Sequence, residues 1–290
     1  MQDWDGVAGK RVVITGATNG IGLAAAEQLA ARGARLSIVA RSDARARPAV
    51  ERIGQAAPAP GPEVDVLLAD LSNQASVRAL AAEILERYPR LDVLVNNAGA
   101  VFTTRQLTVD GVERTWAVNH LAPFLLTTLL LDRLTRSAPA RVVTTSSGAH
   151  QGAHIPFDDL TSEHSYPRRG FTRYGETKLA NILFTAELGR RLTGTGVTAN
   201  CFHPGLVATG FNRNNGALMN LAMTVIRPFS RSPAKGAETL VWLVDSPEVG
   251  DEQGGYFFDR RRATPTAEGR DMEAARRLWE VSEEQTRTPA

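Results

Sequence analysis

Cysteine is almost absent: Cys201 is the only one in 290 residues. An intramolecular disulfide is impossible and no cysteine metal cluster can be built, so a reducing, cytoplasmic setting is the expectation. Lysine is nearly as rare. Lys10, Lys178 and Lys235 stand against a large excess of arginine, and only four tyrosines occur. Long apolar runs are missing too; no stretch approaches the ~18 uninterrupted apolar residues of a membrane span. The first strand-like run begins at Arg11, which leaves no room before it for an apolar signal region, so the chain reads as soluble. Net charge is only +2, and the basic residues are scattered rather than gathered in a stripe, so no nucleic-acid partner is indicated.

What is present suits a large folded core: 43% of residues are hydrophobic. Apolar, β-branched runs predict strands at Arg11–Thr15, Arg35–Ala40, Val64–Ala69, Asp92–Val95, Arg141–Ser146, Val197–Phe202 and Gly255–Phe258. Helical patterns lie between them at about Ile21–Arg32, Ser72–Tyr88, Val112–Arg136, Thr172–Leu192 and Ala234–Val244. Strands that are apolar throughout, separated by helices, imply a parallel sheet covered on both faces. The expected fold is a single-domain α/β, Rossmann-type doubly wound parallel sheet over residues 1–290. A nucleotide-binding half is expected at about 8–140, and a catalytic and substrate half at about 141–290. Two stretches break the alternation, Gly148–Gly170 and Gly205–Pro233, and the second is expected to be a substrate loop. Its apolar part, Ala217–Phe229, reads equally as a helix packed on the core or as a flap over an apolar substrate.

Arg11–Thr15 runs into Gly16-Ala17-Thr18-Asn19-Gly20-Ile21-Gly22, which opens a helix. Glycines let backbone approach a pyrophosphate, and a helix N-terminus offers free N–H groups and a positive dipole end. The second strand ends in Ala40-Arg41-Ser42, without the carboxylate that would accept from ribose hydroxyls. Arg41 suits a 2′-phosphate, or is simply a solvated loop residue. Asp43 lies slightly beyond the usual ribose position and keeps dual specificity open. NADP(H) is therefore expected, ahead of NAD.

Tyr174-Gly175-Glu176-Thr177-Lys178 opens the helix before Val197. The four-residue offset puts phenol and ammonium on one helical face. A free phenol titrates near ~10; an adjacent ammonium and a cationic nicotinamide ring would bring it toward working pH. With so few lysines and tyrosines in the chain, chance pairing is a poor explanation.

These motifs, with Asn96-Asn97-Ala98-Gly99, Asn119, Ser146-Ser147 and Pro204-Gly205, resemble the short-chain dehydrogenase/reductase family in their order over nearly the whole chain. The resemblance implies Tyr174 as general acid/base, with Lys178 lowering its pKa and holding the nicotinamide ribose. It implies Ser147, rather than Ser146, as the hydrogen-bond donor to the substrate oxygen, and Asn119 as the anchor of a water reaching Lys178. Around the cofactor it places Gly16, Thr18, Asn19, Gly20, Ile21, Gly22, Arg41, Asn97, Ala98 and Gly99. Asp70 and Leu71 would lie at the adenine, and Pro204, Gly205, Val207 and Thr209 at the nicotinamide.

A narrower likeness is to the retinol dehydrogenase-like branch. It rests on Phe124–Thr127, Lys178–Phe184, His203-Pro204-Gly205 and Arg276–Trp279. That branch prefers NADP(H) and handles lipophilic alcohols and carbonyls. The membrane-attached members' apolar N-terminal anchor has no counterpart before Arg11, and Gly205–Pro233 carries no retinoid signature. A lipophilic ketone or alcohol is thus expected as substrate, with a bacterial tailoring reductase of polycyclic ketones as one form of this reading. A dinucleotide-binding sensor or scaffold on the same fold is the alternative. A homodimer or homotetramer through the long helices Val112–Arg136 and Thr172–Leu192 is a family habit; a monomer is compatible as well.

The remaining candidates read as structure. His150 and His154 have metal-like spacing, but Pro156 and nearby glycines oppose the helix that would aim both rings, and no third ligand is evident, so no metal is expected. His203, Cys201 and Trp279 read as packing, and Arg260-Arg261-Arg262 as a solvated turn.

Overall fold

The computed structural model describes residues 4–59, 64–207 and 230–287. Seven parallel strands form the body of one sheet: β1 (Arg11–Thr15), β2 (Arg35–Ala40), β3 (Asp65–Leu68), β4 (Val93–Asn96), β5 (Ala140–Thr145), β6 (Val197–Phe202) and β7 (Tyr256–Phe258). The spatial order is β3-β2-β1-β4-β5-β6-β7-β8. The last strand, β8 (Arg261–Arg262), pairs antiparallel with β7. The expected turn at Arg260–Arg262 is therefore shifted: Asp259 and Arg260 take left-handed backbone, and the two arginines after them form an exposed edge strand.

Alternating side chains serve two apolar layers. Val12 and Ile14 of β1 join a core cluster with α1 (Gly20–Ala30), α2 (Asp43–Ala56) and α7 (Pro233–Asp245). Val13 faces the opposite layer, built by α3 (Gln74–Arg87), α5 (Ala122–Arg136) and α6 (Phe171–Arg191). The sheet is doubly wound, with helices on both faces.

Two helices escape the sequence patterns. α2 carries Pro48 and buries only Ala46, Ala49 and Ile53, so its apolar stripe is thin. The C-terminal helix α8 (Met272–Gln285) buries Ala275, Leu278, Trp279 and Ser282 among charged residues. Trp279 meets Phe124 of α5 at 5.0 Å between centroids and stacks on Phe184 of α6 at 5.9 Å, which makes it a core residue.

The expected helix Val112–Arg136 has an interruption. A short α4 (Arg114–Trp116) widens into a π turn over Ala117–Leu121 before α5. Pro123 has no N–H, so the ordinary bond to the Asn119 carbonyl four residues back cannot form. The Ala122 N–H reaches the Ala117 carbonyl, five residues back, and the widened turn carries Asn119.

Replacing Trp279 by Ala should cost about 3–5 kcal/mol of unfolding free energy, as expected for a buried aromatic. Urea denaturation checks the loss, and nucleotide affinity of the folded fraction should not change, since Trp279 lies away from the cavity described next.

Candidate active site

Parallel strands place their carboxyl ends on one side of the sheet, and where β1 and β4 lie side by side their crossovers leave in opposite directions. A cavity of about 620 Å³ opens there, a size typical of small-molecule and cofactor sites. Gly16, Thr18, Asn19, Gly20, Ile21 and Gly22 form one wall. Arg41, Asp70 and Leu71 lie at the ends of β2 and β3, and Asn97, Ala98 and Gly99 follow β4. Ser147, Tyr174, Lys178, Pro204, Gly205 and Val207 complete the lining. Thr209 and the Ala217–Phe229 stretch lie outside the described residues. Val207 pairs with Arg231 in an isolated bridge, so the two described ends of that stretch lie together at the cavity edge.

The glycine turn is held by contacts that admit no side chain. A Cβ on Gly22 would sit 2.3 Å from the Gly16 carbonyl oxygen, and Gly16 itself has φ +69° against Ala98. Asn97 braces the turn: its Nδ2 donates to the carbonyls of Thr15 and Gly16 at 3.0 and 3.2 Å. Thr15 Oγ1 accepts from the N–H groups of Asn97 and Ala98, both at 3.0 Å. α1 then starts with its N-cap residue, Asn19, making no side-chain cap bond, and with no acidic residue in its first turn. Such a helix end is complementary to a pyrophosphate, so the residues present fit a dinucleotide.

At the far end of β2, Arg41 and Arg45 both line the cavity, whereas Asp43 does not. Arg45 lies on the first turn of α2, so sequence position alone did not mark it. Burial pushes the Asp70 carboxyl up, but hydrogen bonds from the Ser72 N–H and hydroxyl, with the guanidinium charges of Arg41 and Arg114, leave it below the usual carboxylate range. Asp70 is thus a fixed anion at the mouth of the nucleotide end.

The catalytic candidates converge from β5 and α6. Ser146 donates its hydroxyl to the Lys178 carbonyl at 2.8 Å, and so is engaged in fastening α6 to β5. Ser147, next along, hydrogen-bonds the phenol of Tyr174. Lys178 is 2% exposed. Its Nζ donates to the Thr145 carbonyl at 3.1 Å and lies 5.4 Å from the Tyr174 ring centroid. Asn119 stands behind the wall, wholly buried. It accepts from Ala100 N at 2.8 Å and donates to the Ala100 carbonyl at 2.9 Å and to Thr177 Oγ1 at 3.1 Å, clasping the loop after β4 to α6.

In the chain by itself, without the cationic nicotinamide ring that the sequence expectation includes, burial governs the titration of this pair. Burial pushes the Tyr174 phenol up to about 12, against the lowering effect of the Ser147 bond. Burial also brings the Lys178 ammonium down to about 8. In the chain by itself, desolvation outweighs the attraction between the two groups.

Phe102, Val118, Phe171 and Leu206 give the cavity apolar wall, and Phe171 and Leu206 are exposed at its lip. They were not singled out in the sequence because their convergence depends on four separate elements. His203 does not line the cavity; it stacks on Phe258 at 4.1 Å and Tyr256 at 5.5 Å, and burial, with nearby His150 and Arg231, brings its pKa down to about 4. His150 bonds the Ser147 carbonyl at 2.7 Å. Among the described residues no group of three or more His, Cys, Asp or Glu side chains could hold a metal, and no helix is long and apolar enough to cross a membrane.

The buried ammonium makes a stability prediction. The unfolded lysine keeps its proton to about 10.5, whereas the folded one loses it near 8. Between these values the unfolded chain binds more protons, so folding stability rises with pH. Lys178→Met should therefore melt at or above the wild type at pH 7, with that advantage shrinking as pH rises toward 10. Melting curves at both pH values check it; Asn181 Nδ2, at 3.2 Å from the Thr145 carbonyl, keeps that acceptor satisfied in the variant.

Comparison with known proteins gives the family. The family described as "short chain dehydrogenase" matches residues 10–157. Human retinol dehydrogenase 14 is 43% identical over 95% of this chain and 85% of its own length. A Streptomyces sp. (strain C5) protein named "Putative daunorubicin C-13 ketoreductase DnrU" is 41% identical over 96% and 92%. Among solved structures, a short chain dehydrogenase from Burkholderia cenocepacia J2315 in complex with NADP is 29% identical, with a TM-score of 0.69 over 87% of this chain and 96% of that one. With the glycine turn, the Ser147–Tyr174–Lys178 cluster and these matches, the chain belongs to the short chain dehydrogenase family, in its retinol dehydrogenase-like branch, and is an oxidoreductase of that family.

Proposed function

We propose that this protein is an NADP(H)-dependent reductase that interconverts a lipophilic ketone or aldehyde with its alcohol, using Tyr174 as general acid/base. The observation that carries the reading is the hydrogen-bonded Ser147–Tyr174 pair at one end of the same cavity whose other end presents Arg41 and Arg45. The dinucleotide, when bound, supplies or takes the hydride. Residues of about 8–140 would hold it, and about 141–290 would supply the chemistry and the substrate wall.

A carbonyl oxygen set against Ser147 accepts the serine's hydrogen bond and lies within reach of the phenol. As the carbonyl carbon gains hydride, Tyr174 gives its proton to the oxygen and becomes phenolate; the alcohol leaves, and solvent protons restore the phenol. A phenol held near 12 is fully protonated at neutral pH, which is the state carbonyl reduction needs. Lys178, mostly charged at pH 7, stabilises the phenolate that remains. Asn119 acts at one remove, by fixing the loop against which Lys178 packs.

Arg41 and Arg45, with no acidic residue at the end of β2, support a 2′-phosphate over a free ribose hydroxyl. Phe102, Phe171 and Leu206 support an apolar substrate, a reading in keeping with relatives named as a retinol dehydrogenase and as a putative daunorubicin C-13 ketoreductase. Pairing of chains through α5 and α6 receives no support here, because α8 already lies on Phe124 and Phe184 of those helices.

Tyr174→Phe should lower kcat by about 10²–10⁴-fold while NADPH affinity, read by nucleotide fluorescence, stays nearly unchanged. Undiminished turnover of a panel of aryl and alkyl ketones would refute the assignment, and NADPH binding without any turnover in the wild type would favour the sensor reading. Arg41→Ala with Arg45→Ala should weaken NADPH by roughly 10–100-fold, the loss of one or two charge-assisted bonds, and leave NADH unaffected. Equal losses for both nucleotides would contradict the phosphate role.

A further inference from the structure

The helix that carries Tyr174 begins without an ordinary cap. Arg168, Arg169 and Gly170 enter α6 with φ of 51°, 51° and 76°, and the N-cap position, a glycine, has no side chain to cap the first N–H groups. Gly170 is fixed by sterics as well: a Cβ there would lie 2.1 Å from the Phe102 carbonyl oxygen. An uncapped first turn is the part of a helix most prone to fray, yet this one must hold the phenol against Ser147.

Arg173, immediately before Tyr174, supplies the missing anchor. Its side chain is 1% exposed. Nε donates to Glu113 Oε2 at 3.1 Å, Nη1 to Glu176 Oε2 at 2.9 Å, and Nη2 to the Leu160 carbonyl. The guanidinium also lies over the Trp116 ring at 4.6 Å. Glu113, itself wholly buried, caps α4 by accepting from the N–H groups of Thr115 at 2.8 Å and Trp116 at 2.9 Å. Tyr166 closes the group: its hydroxyl donates to the Phe102 carbonyl at 2.7 Å and lies 3.3 Å from Glu113 Oε1.

None of Glu113, Arg173 and Glu176 lines the cavity, but the segments they tie together do: Phe102, Arg114 and Val118 on one side, Phe171 and Tyr174 on the other. Buried ion clusters are a poor source of stability, since apolar packing of the same volume serves as well or better. What such a cluster provides is direction, because a planar guanidinium with three acceptors has one favourable placement.

We infer that Glu113, Arg173 and Glu176 form a positioning network, which sets the Tyr174 phenol against Ser147 from behind the cavity wall. The inference rests on Tyr174 being the acid/base. It adds residues that touch neither substrate nor dinucleotide.

The test separates placement from folding. Arg173→Met alone strands two buried carboxylates, Glu113 and Glu176, and should lower the melting temperature; Arg173→Met with Glu113→Gln neutralises the more deeply buried of the two and should recover a good part of the loss. In this double variant kcat, at saturating NADPH and ketone, should still be about 10²-fold down, the cost of a reacting group displaced by about 1 Å, with NADPH affinity unchanged. Recovery of kcat along with melting temperature would reduce the network to a folding element and overturn the inference. Arg173→Lys keeps the charge but cannot reach three acceptors at once, so it should fold and still lose kcat with unchanged nucleotide affinity. Should the double variant fail to fold, this one decides: wild-type kcat in Arg173→Lys overturns the inference. Tyr174→Phe runs alongside; if that variant keeps turnover, the acid/base reading has failed, whatever the network does.

Discussion

An ammonium donated to the last carbonyl of a central strand is the contact around which this site is arranged. Lys178 reaches the Thr145 carbonyl from α6 and, with Ser146 bonded back to the Lys178 carbonyl, presses that helix onto the end of β5. Ser147 and Tyr174 meet beside the point where those two elements are joined. The same β5 end reaches Asn97 through Thr145 Oγ1, at 3.3 Å, and Asn97 braces the glycine turn. Nucleotide wall and proton donor are thus held by one set of bonds across β1, β4 and β5.

Keeping a lysine dry is unfavourable, and the fold accepts it. Burial lowers the affinity of Lys178 for its proton and raises that of Tyr174 for its own. Both shifts have one cause, the low polarity of the seam between sheet and helix. They leave the pair as a neutral phenol beside a cation at neutral pH, ready to give a proton and to stabilise the anion left behind. The glycines on the other side follow an equally local logic: Gly16 and Gly22 are required by carbonyls and amides lying closer than any side chain permits.

Much of this was readable from sequence, for identifiable reasons. Buried parallel strands read as short runs rich in apolar and β-branched residues, so β1, β2 and β6 were placed to the residue. Tyr174 and Lys178 stood out because their residue types are rare in the chain and their spacing is helical. α2 and α8 did not, since their buried stripes are narrow and interrupted by charge. Arg45 and the Phe102–Phe171–Leu206 wall were hidden because tertiary structure alone brings those segments together. Glu113 and Arg173 lie 60 residues apart, and a pattern of neighbours cannot pair them. The rise in the Tyr174 phenol of the chain by itself was not legible, because helical spacing reports which group is near, while burial decides how strongly water is excluded.

The central claim is that burial sets the phenol's proton affinity, and that the positive charge of an oxidised nicotinamide would reset it. Ultraviolet titration of phenolate formation, taken as the wild type minus Tyr174→Phe difference, measures this directly with and without NADP⁺. The account predicts a Tyr174 phenol that ionises only near 12 in the free protein and at distinctly lower pH with NADP⁺ bound. Ionisation near the ordinary tyrosine value in both states, or no response to the dinucleotide, would contradict it.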